Sequence, residues 1–308
     1  MKSTRLALVF LLPSLLWPAR GALAWGPTGH RVVAEIAQQH LTKTARERIE
    51  KLLHGYTLAD VANWPDELRS EKRYDKYKRL HFATVPDGVA SYRDSKKDPC
   101  GDLVTAIRAL SAYLKTGKRE ELLAVKALSD QPDGTGRNAC NPEATEPITP
   151  ETALRFLVHF MGDLHQPLHV GGTDLGGNKV NVNWMNRWRT NLHSTWDDEM
   201  VDYEKLYYME YARFLDHAKE AEVAQWQSGD LVAWADENVA MRPLLYSYPD
   251  EKSPAPAASV VYAEEPDAPP PAPPLISYNY VGAHRTRLRQ QLLKGGIRLA
   301  GVLNSIFR

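Results

Sequence analysis

Cysteine is almost absent from this chain: Cys100 and Cys140 are the only two in 308 residues. Two thiols are too few for a thiolate metal site, so any metal must be held by histidine and carboxylate. The pair suits one disulfide instead, closing a loop of roughly 40 residues and contributing at most about 4 kcal/mol on the chain-entropy estimate. An excess of charge of one sign is missing too. Lys+Arg and Asp+Glu both number 38, and Lys2, Arg5 and Arg20 lie in the first 24 residues, so 35 basic groups face 38 acidic ones beyond that point. Bulk electrostatics therefore gives no basis for tight duplex DNA binding. Long apolar runs are lacking after residue 24, which leaves no candidate transmembrane helix there. No N-x-S/T sequon occurs, so no acceptor for an N-linked glycan is present. Alternating strand patterns are confined to Lys179–Trp184, as a short strand or hairpin. The expected class is all-α: a single-domain helical bundle with at most a short β-hairpin.

Several features stand against these absences. Residues 1–24 read as a secretory signal, with Lys2 and Arg5 before the apolar run Leu6–Trp17 and an A-x-A site at Ala22–Ala24. Cleavage there would make Trp25 the first residue of an exported chain running from 25 to 308. Residues 248–276, PDEKSPAPAA followed by PDAPPPAPP, depart sharply in composition and read as an extended surface insertion. Apolar residues recur at helical spacing from Arg31 to Leu41 and over Asp102–Lys115 and Arg119–Leu128. Val281–Phe307 shows the same pattern, with Leu288, Leu292, Ile297, Leu299, Val302 and Leu303 needing a core to bury them.

The stretch Phe156–Val170, FLVHFMGDLHQPLHV, is the densest in chemistry. Thr149 and Pro150 give it an N-cap and a first helical position. With Glu151–Leu164 helical, His159 and Asp163 share a face at i,i+4, and Pro167 ends the helix before His169. A second i,i+4 pair, His193 and Asp197, falls on a helix expected over Asn191–Met200. His30 follows a Gly-Pro-x-Gly turn, Asp66 and Arg69 lie one turn apart, and His81 sits in an apolar stretch. Each has a dull explanation alone, as cap, ion pair or core residue. Together they give five histidines and three aspartates that a helical bundle can converge on its core or one end. His40, His54, His165, His217 and His284 lack such company and read as surface or packing residues.

These residues resemble the zinc-dependent class I nucleases, the single-strand-specific nucleases and 3′-nucleotidases of fungi, plants and some bacteria. The resemblance rests on W-G-x-x-G-H at Trp25–His30, W-x-D-x-x-R at Trp64–Arg69 and L-H-F at Leu80–Phe82. It continues with H-F-x-G-D-x-H-Q-P-L-H at His159–His169 and N-L-H-x-x-W-D at Asn191–Asp197. It implies three zinc ions: one on Asp66, His81, His159 and Asp163; one on His169, His193 and Asp197; one on the Trp25 amine and carbonyl with His30, bridged by Asp163. It also implies a metal-activated water as nucleophile, Arg69 neutralising phosphate charge, Asn191 positioning the phosphoryl group and Phe82 stacking on an unpaired base. The substrates so implied are single-stranded DNA and RNA and 3′-nucleotides, met by a monomer outside the membrane. One departure stands out. Fungal members carry an aspartate that reads the base edge two residues after the stacking Phe, and here that position is Thr84.

Two other readings compete. Zinc phospholipases C share an all-α, three-zinc plan, but have a wider gap from the terminal Trp to the first His and a Glu in the last H-x-x-x-E. Here Trp25 and His30 are five apart and the last carboxylate is Asp197. An exported zinc-binding protein without catalysis would need the ligands, but not Arg69 or Asn191.

Overall fold

The computed structural model describes residues 25–134, 139–250 and 272–308. The secretory signal lies outside them, as does most of the Pro-rich segment. The helix Pro150–Asp163 runs through the middle of the fold, with every residue from Phe156 to Asp163 buried. It starts where its sequence says it should: the Thr149 hydroxyl accepts from the Thr152 N–H at 3.2 Å, and Pro150 needs no donor in the first turn. Phe156 and Phe160 are fully buried and stack at 5.4 Å between ring centroids. Each contributes about 1.5–3 kcal/mol by leaving water.

Three helices pack around this axis: Pro27–Gln39, Leu103–Thr116 and the C-terminal Tyr278–Ile306. The first and last approach closely because Gly296 lacks a side chain. A Cβ there would lie 2.5 Å from Ile36 Cβ. Leu103–Thr116 is opened by a capping box in which Asp102 and Thr105 satisfy each other's backbone N–H groups. The Cys100–Cys140 disulfide forms as expected and ties the loop after this layer to its start.

The strands exceed one hairpin. β1 (Ala83–Thr84) pairs in parallel with β2 (Val170–Gly171), joining the segments that follow His81 and His169. β3 (Asn181–Trp184) and β4 (Trp188–Asn191) form the expected hairpin, and β5 (Leu275–Ile276) adds to β3 in parallel. The two ends of the Pro-rich segment 248–276 pack against the described fold. Ile276 is buried in a strand, and Tyr248 is buried and stacks on Tyr280. Two-residue strands paired across long sequence distances carry no periodicity of their own, which is why composition alone extended the excursion too far.

Local helix readings also shift. Arg119–Leu128 breaks into Glu120–Leu123 and a 3₁₀ turn, Lys126–Leu128. The segment after Asn191 is a short α-turn, Leu192–Ser194, followed by a π-helical turn, Thr195–Glu199. Such turns are rare and recur at functional sites. Here the π-turn sets Asp197 against His193.

Candidate metal centre

The central helix delivers His159 and Asp163, and the elements around it bring the other candidates to them. His159 Nε2 lies 3.0 Å from His81 Nδ1, and His81 Nδ1 lies 3.0 Å from Asp163 Oδ2. Asp66 Oδ1 completes this group, 3.8 Å from His81 Nδ1 and 3.7 Å from His159 Nε2. On the other side of the helix end, His169 Nε2 and His193 Nε2 face each other at 3.1 Å. Asp197 stands 3.7 Å from the first through Oδ1 and 3.5 Å from the second through Oδ2. Asp163 lies between the groups: its Oδ1 is 3.4 Å from both His30 Nε2 and His169 Nδ1. His30 itself stacks on His159 at 3.8 Å, in a gap that Gly162 leaves open. A Cβ at Gly162 would meet His30 Nδ1 at 2.6 Å.

The imidazoles are oriented by backbone carbonyls. His159 Nδ1 donates to Ala62 O, His169 Nδ1 to His81 O and His193 Nδ1 to Gly176 O, at 2.6 to 2.7 Å. A carbonyl only accepts, so in each neutral ring Nδ1 carries the proton and Nε2 presents a lone pair. His169 and His193 thus point two lone pairs at one another across 3.1 Å. That arrangement is repulsive unless a cation sits between them. Among the described residues, His30 Nδ1 and Nε2, Asp163 Oδ1 and Asp197 Oδ2 are buried and find no hydrogen-bond partner. Unmet buried polar atoms of this kind cost about 1–3 kcal/mol each unless satisfied. The donor set therefore fits metal ions, in three groups: His30/Asp66/His159 and His81/His159/Asp163, which share His159, and the separate His169/His193/Asp197.

Electrostatics agrees. Burial pushes the Asp163 and Asp197 carboxyls well above the usual range, and the charge of Asp66 adds to the effect on Asp163. Burial also drives His30, His81 and His193 below their ordinary value and His159 down to about 4. The rings are therefore neutral at physiological pH and suited to be ligands, and bound cations would offset the cost of ionising two buried carboxylates. His165 is buried but belongs elsewhere. Its Nδ1 meets Met161 O at 2.8 Å and its Nε2 meets Arg298 at 3.2 Å, in agreement with a packing role.

The centre opens on a cavity of about 550 Å³ lined by Arg69, His81, Phe82, Thr84, His169 and His193 among others. Arg69 is anchored by its Nε, 3.0 Å from Asp66 Oδ1. Phe82 is 43% exposed, so its ring is open to the cavity that it lines. Trp25 is fully buried, and the next residue's N–H donates to Asp197 O at 2.9 Å, so the start of the described chain is fastened beside the centre. Asn191 is not among the lining residues. Its Oδ1 accepts from the Ser194 N–H and caps the turn that carries His193.

Sequence reasoning passed over Gln166. Fully buried, its Oε1 accepts from the Leu168 N–H at 2.6 Å, which leaves the NH₂ to donate to Asp197 Oδ1 at 2.5 Å. The bond orients Asp197 so that Oδ2 faces His193. The signal was present in the H-Q-P run but names no role by itself. Gln166→Glu keeps the size and the acceptor for Leu168 but loses the donor. We expect it to weaken one metal per chain by about 10–100-fold, the scale for such outer partners. Zinc titration of the metal-free protein against a chromophoric chelator checks this, and uptake equal to the unsubstituted protein would count against it.

A helical fold whose buried His/Asp groups could hold metal ions, beside a cavity lined by Arg69, suits metal-assisted phosphoester chemistry. Sequence comparison narrows the class. A model of the S1/P1 nuclease family matches residues 25–308. Endonuclease 3 of Arabidopsis thaliana is 32% identical over 295 residues, covering 93% of this chain and 90% of that protein. Endonuclease 4 of the same plant is 29% identical over 306 residues, covering 98% and 94%. Nuclease P1 of Penicillium citrinum is 32% identical over 181 residues, covering 57% and 58%. The chain belongs to the S1/P1 nuclease family and is a hydrolase of phosphodiester bonds. The phospholipase and the non-catalytic readings give way to that membership.

Proposed function

We propose that this chain, cleaved after Ala24 and exported, is a three-zinc endonuclease of single-stranded DNA and RNA. It would leave 5′-phosphorylated products, act on 3′-nucleotides as well, and work as a monomer with residues 25–308 forming one catalytic domain. The opposed lone pairs of His169 and His193, beside a cavity walled by Arg69 and Phe82, carry this reading.

Asp66, His81, His159 and Asp163 would hold one ion, His169, His193 and Asp197 another, and Trp25 with His30 and Asp163 the third. Bound there, zinc supplies an acidified water and positive charge close to the phosphate oxygens. The chain's own residues do the rest. Arg69, fixed by Asp66, brings a guanidinium to the phosphate and offsets charge that builds during displacement. Asn191 offers the phosphoryl group an N–H donor from its side-chain NH₂, since an anion needs a donor and its carbonyl already serves Ser194. Phe82 presents a π-face to a base, a contact worth about 1–3 kcal/mol that any base can make once unpaired. A duplex hides those faces, so single strands are preferred. Thr84 also lines the cavity, and its hydroxyl both donates and accepts where a carboxylate would only accept. Base selection should accordingly be weaker than a carboxylate would impose. Among the described residues no helix is long and apolar enough to cross a membrane, and the proposed export requires no such span.

The test is to incubate the mature protein with single-stranded DNA, RNA, a 3′-nucleotide and a DNA duplex, with and without chelator. Chelator-sensitive release of 5′-mononucleotides from the single strands, restored by zinc, is expected. Cleavage that ignores the chelator, or that favours the duplex, would reject the proposal.

A further inference from the structure

The loop from Gly171 to Asn178 forms one wall of the cavity and contains an unusual backbone. Leu175, Gly176 and Gly177 take three successive left-handed conformations, with φ of 59°, 60° and 84°. For the two glycines this is free, but for Leu175 it costs about 1–2 kcal/mol. Leu175 nevertheless stays 57% exposed on the cavity wall, so its own burial does not compensate. Strain of this kind persists only where the surroundings over-determine the backbone.

The surroundings do so from two sides. Toward the metal centre, Gly176 presses on the turn at Leu168, where an added Cβ would lie 2.1 Å from Leu168 O. Its carbonyl also accepts from His193 Nδ1 at 2.7 Å. Away from the centre, the helix Leu231–Leu245 and the residue after it hold the same loop. Tyr246 OH donates to Asp174 Oδ2 at 2.6 Å, one residue before the strained leucine. Arg242 bridges the residue after β1 to β2, donating from Nη1 to Val85 O at 3.0 Å and from Nη2 to Val170 O at 3.1 Å. Its Nη1 is 3.6 Å from Asp87 Oδ1, and the other oxygen of Asp87 accepts from the Thr173 hydroxyl. Neither Arg242 nor Tyr246 lines the cavity.

We infer that Tyr246, Arg242 and Asp87 are positioning residues for substrate. They hold the 171–178 loop, and with it the strained cavity wall at Leu175, in the shape that accepts a single strand. The inference rests on the cavity being the nucleic-acid site proposed above. When a loop is released, the binding-competent fraction falls, and apparent affinity falls by that same fraction. The effect belongs to KM, because the bond from His193 to Gly176 lies on the far side of the strained turn from Tyr246.

Tyr246→Phe removes one hydroxyl at a half-buried position and preserves the ring. In the metal-loaded mature protein it is expected to raise KM for a single-stranded oligonucleotide by about 3- to 10-fold, with kcat within twofold and zinc content unchanged. Arg242→Lys, which keeps the charge but cannot serve both carbonyls, should do the same. Hydrogen exchange gives a readout independent of turnover. The N–H groups of Asn178 and Lys179, bonded to Leu175 O and Asp174 O, should exchange faster in Tyr246→Phe. Unchanged exchange overturns the inference even if the protein proves inactive on nucleic acid, which would itself reject the proposed function alone. Faster exchange with an unchanged KM in an active enzyme also overturns it, as does a kcat loss accompanied by lost zinc.

Discussion

Asp163→Ala is expected to remove two metal ions from each chain and to lower cleavage of single-stranded DNA by about 10³-fold or more, the upper scale for losing one preorganised electrostatic group. The expectation follows from the position of this carboxylate. Oδ2 faces His81 and His159 at 3.0 and 3.4 Å, while Oδ1 faces His30 and His169, each at 3.4 Å. No other candidate ligand turns its two oxygens toward different histidine groups. His169→Ala should act on one ion alone, because its Nε2 meets only His193 and Asp197 among the ligands. Zinc content of the two variants, measured after dialysis into chelator-treated buffer, separates these outcomes. Equal losses in both would show that the shared role of Asp163 is misplaced. Helicity of the metal-free proteins gives the needed control, since the ligands cap no main helix and their loss should leave the fold intact.

A chain that keeps one extra residue before Trp25 should lose one of the three ions and about 10²-fold in activity, at the upper end of the range for a displaced ligand's partner. An α-amine has a pKa near 7.7–8.0 and offers a lone pair when deprotonated, whereas the peptide nitrogen that replaces it has none to give. The side chain of Trp25 is already locked in place. It is fully buried, and Gly29 one turn later leaves only enough room for it, with an added Cβ falling 3.0 Å from Trp25 Cβ. The extension would therefore change the nitrogen's chemistry without freeing the tryptophan. Mass spectrometry under native conditions counts the ions directly. Three ions in the extended chain would remove Trp25 from the ligand set and leave His30 to the neighbouring group with Asp66 and His159.

Much of this centre was legible before any coordinates. The cap at Thr149–Pro150 and the i,i+4 spacing of His159 and Asp163 are local properties, set by residues within a few positions of one another. The same holds for His193 and Asp197, although a π-turn, not a plain helix, joins them. What could not be read is the set of partners that comes from far away in the chain. The carbonyls of Ala62, His81 and Gly176 set the ring tautomers, and a backbone carbonyl leaves no mark in a sequence. β5 and the Arg242–Tyr246 anchor were hidden for the same reason: each acts on a segment tens of residues distant. Gln166 and Asn191 show a third limit. Their side chains serve local backbone N–H groups, Leu168 for Gln166 and Ser194 for Asn191, so residue type alone does not reveal a task at the centre. The Pro-rich segment was overdrawn at its ends because composition averages over the few residues, Tyr248 and Ile276, that the core recaptures.

The central claim is that one helix, through His159 and Asp163, organises three adjacent metal sites around the cavity. Anomalous diffraction at the zinc edge, from crystals of the protein beginning at Trp25 and loaded with zinc, tests it most directly. Three peaks are predicted, with Asp163 bridging two of them and the His169/His193/Asp197 site standing apart. One or two peaks, or a third ion held without Asp163, would contradict it.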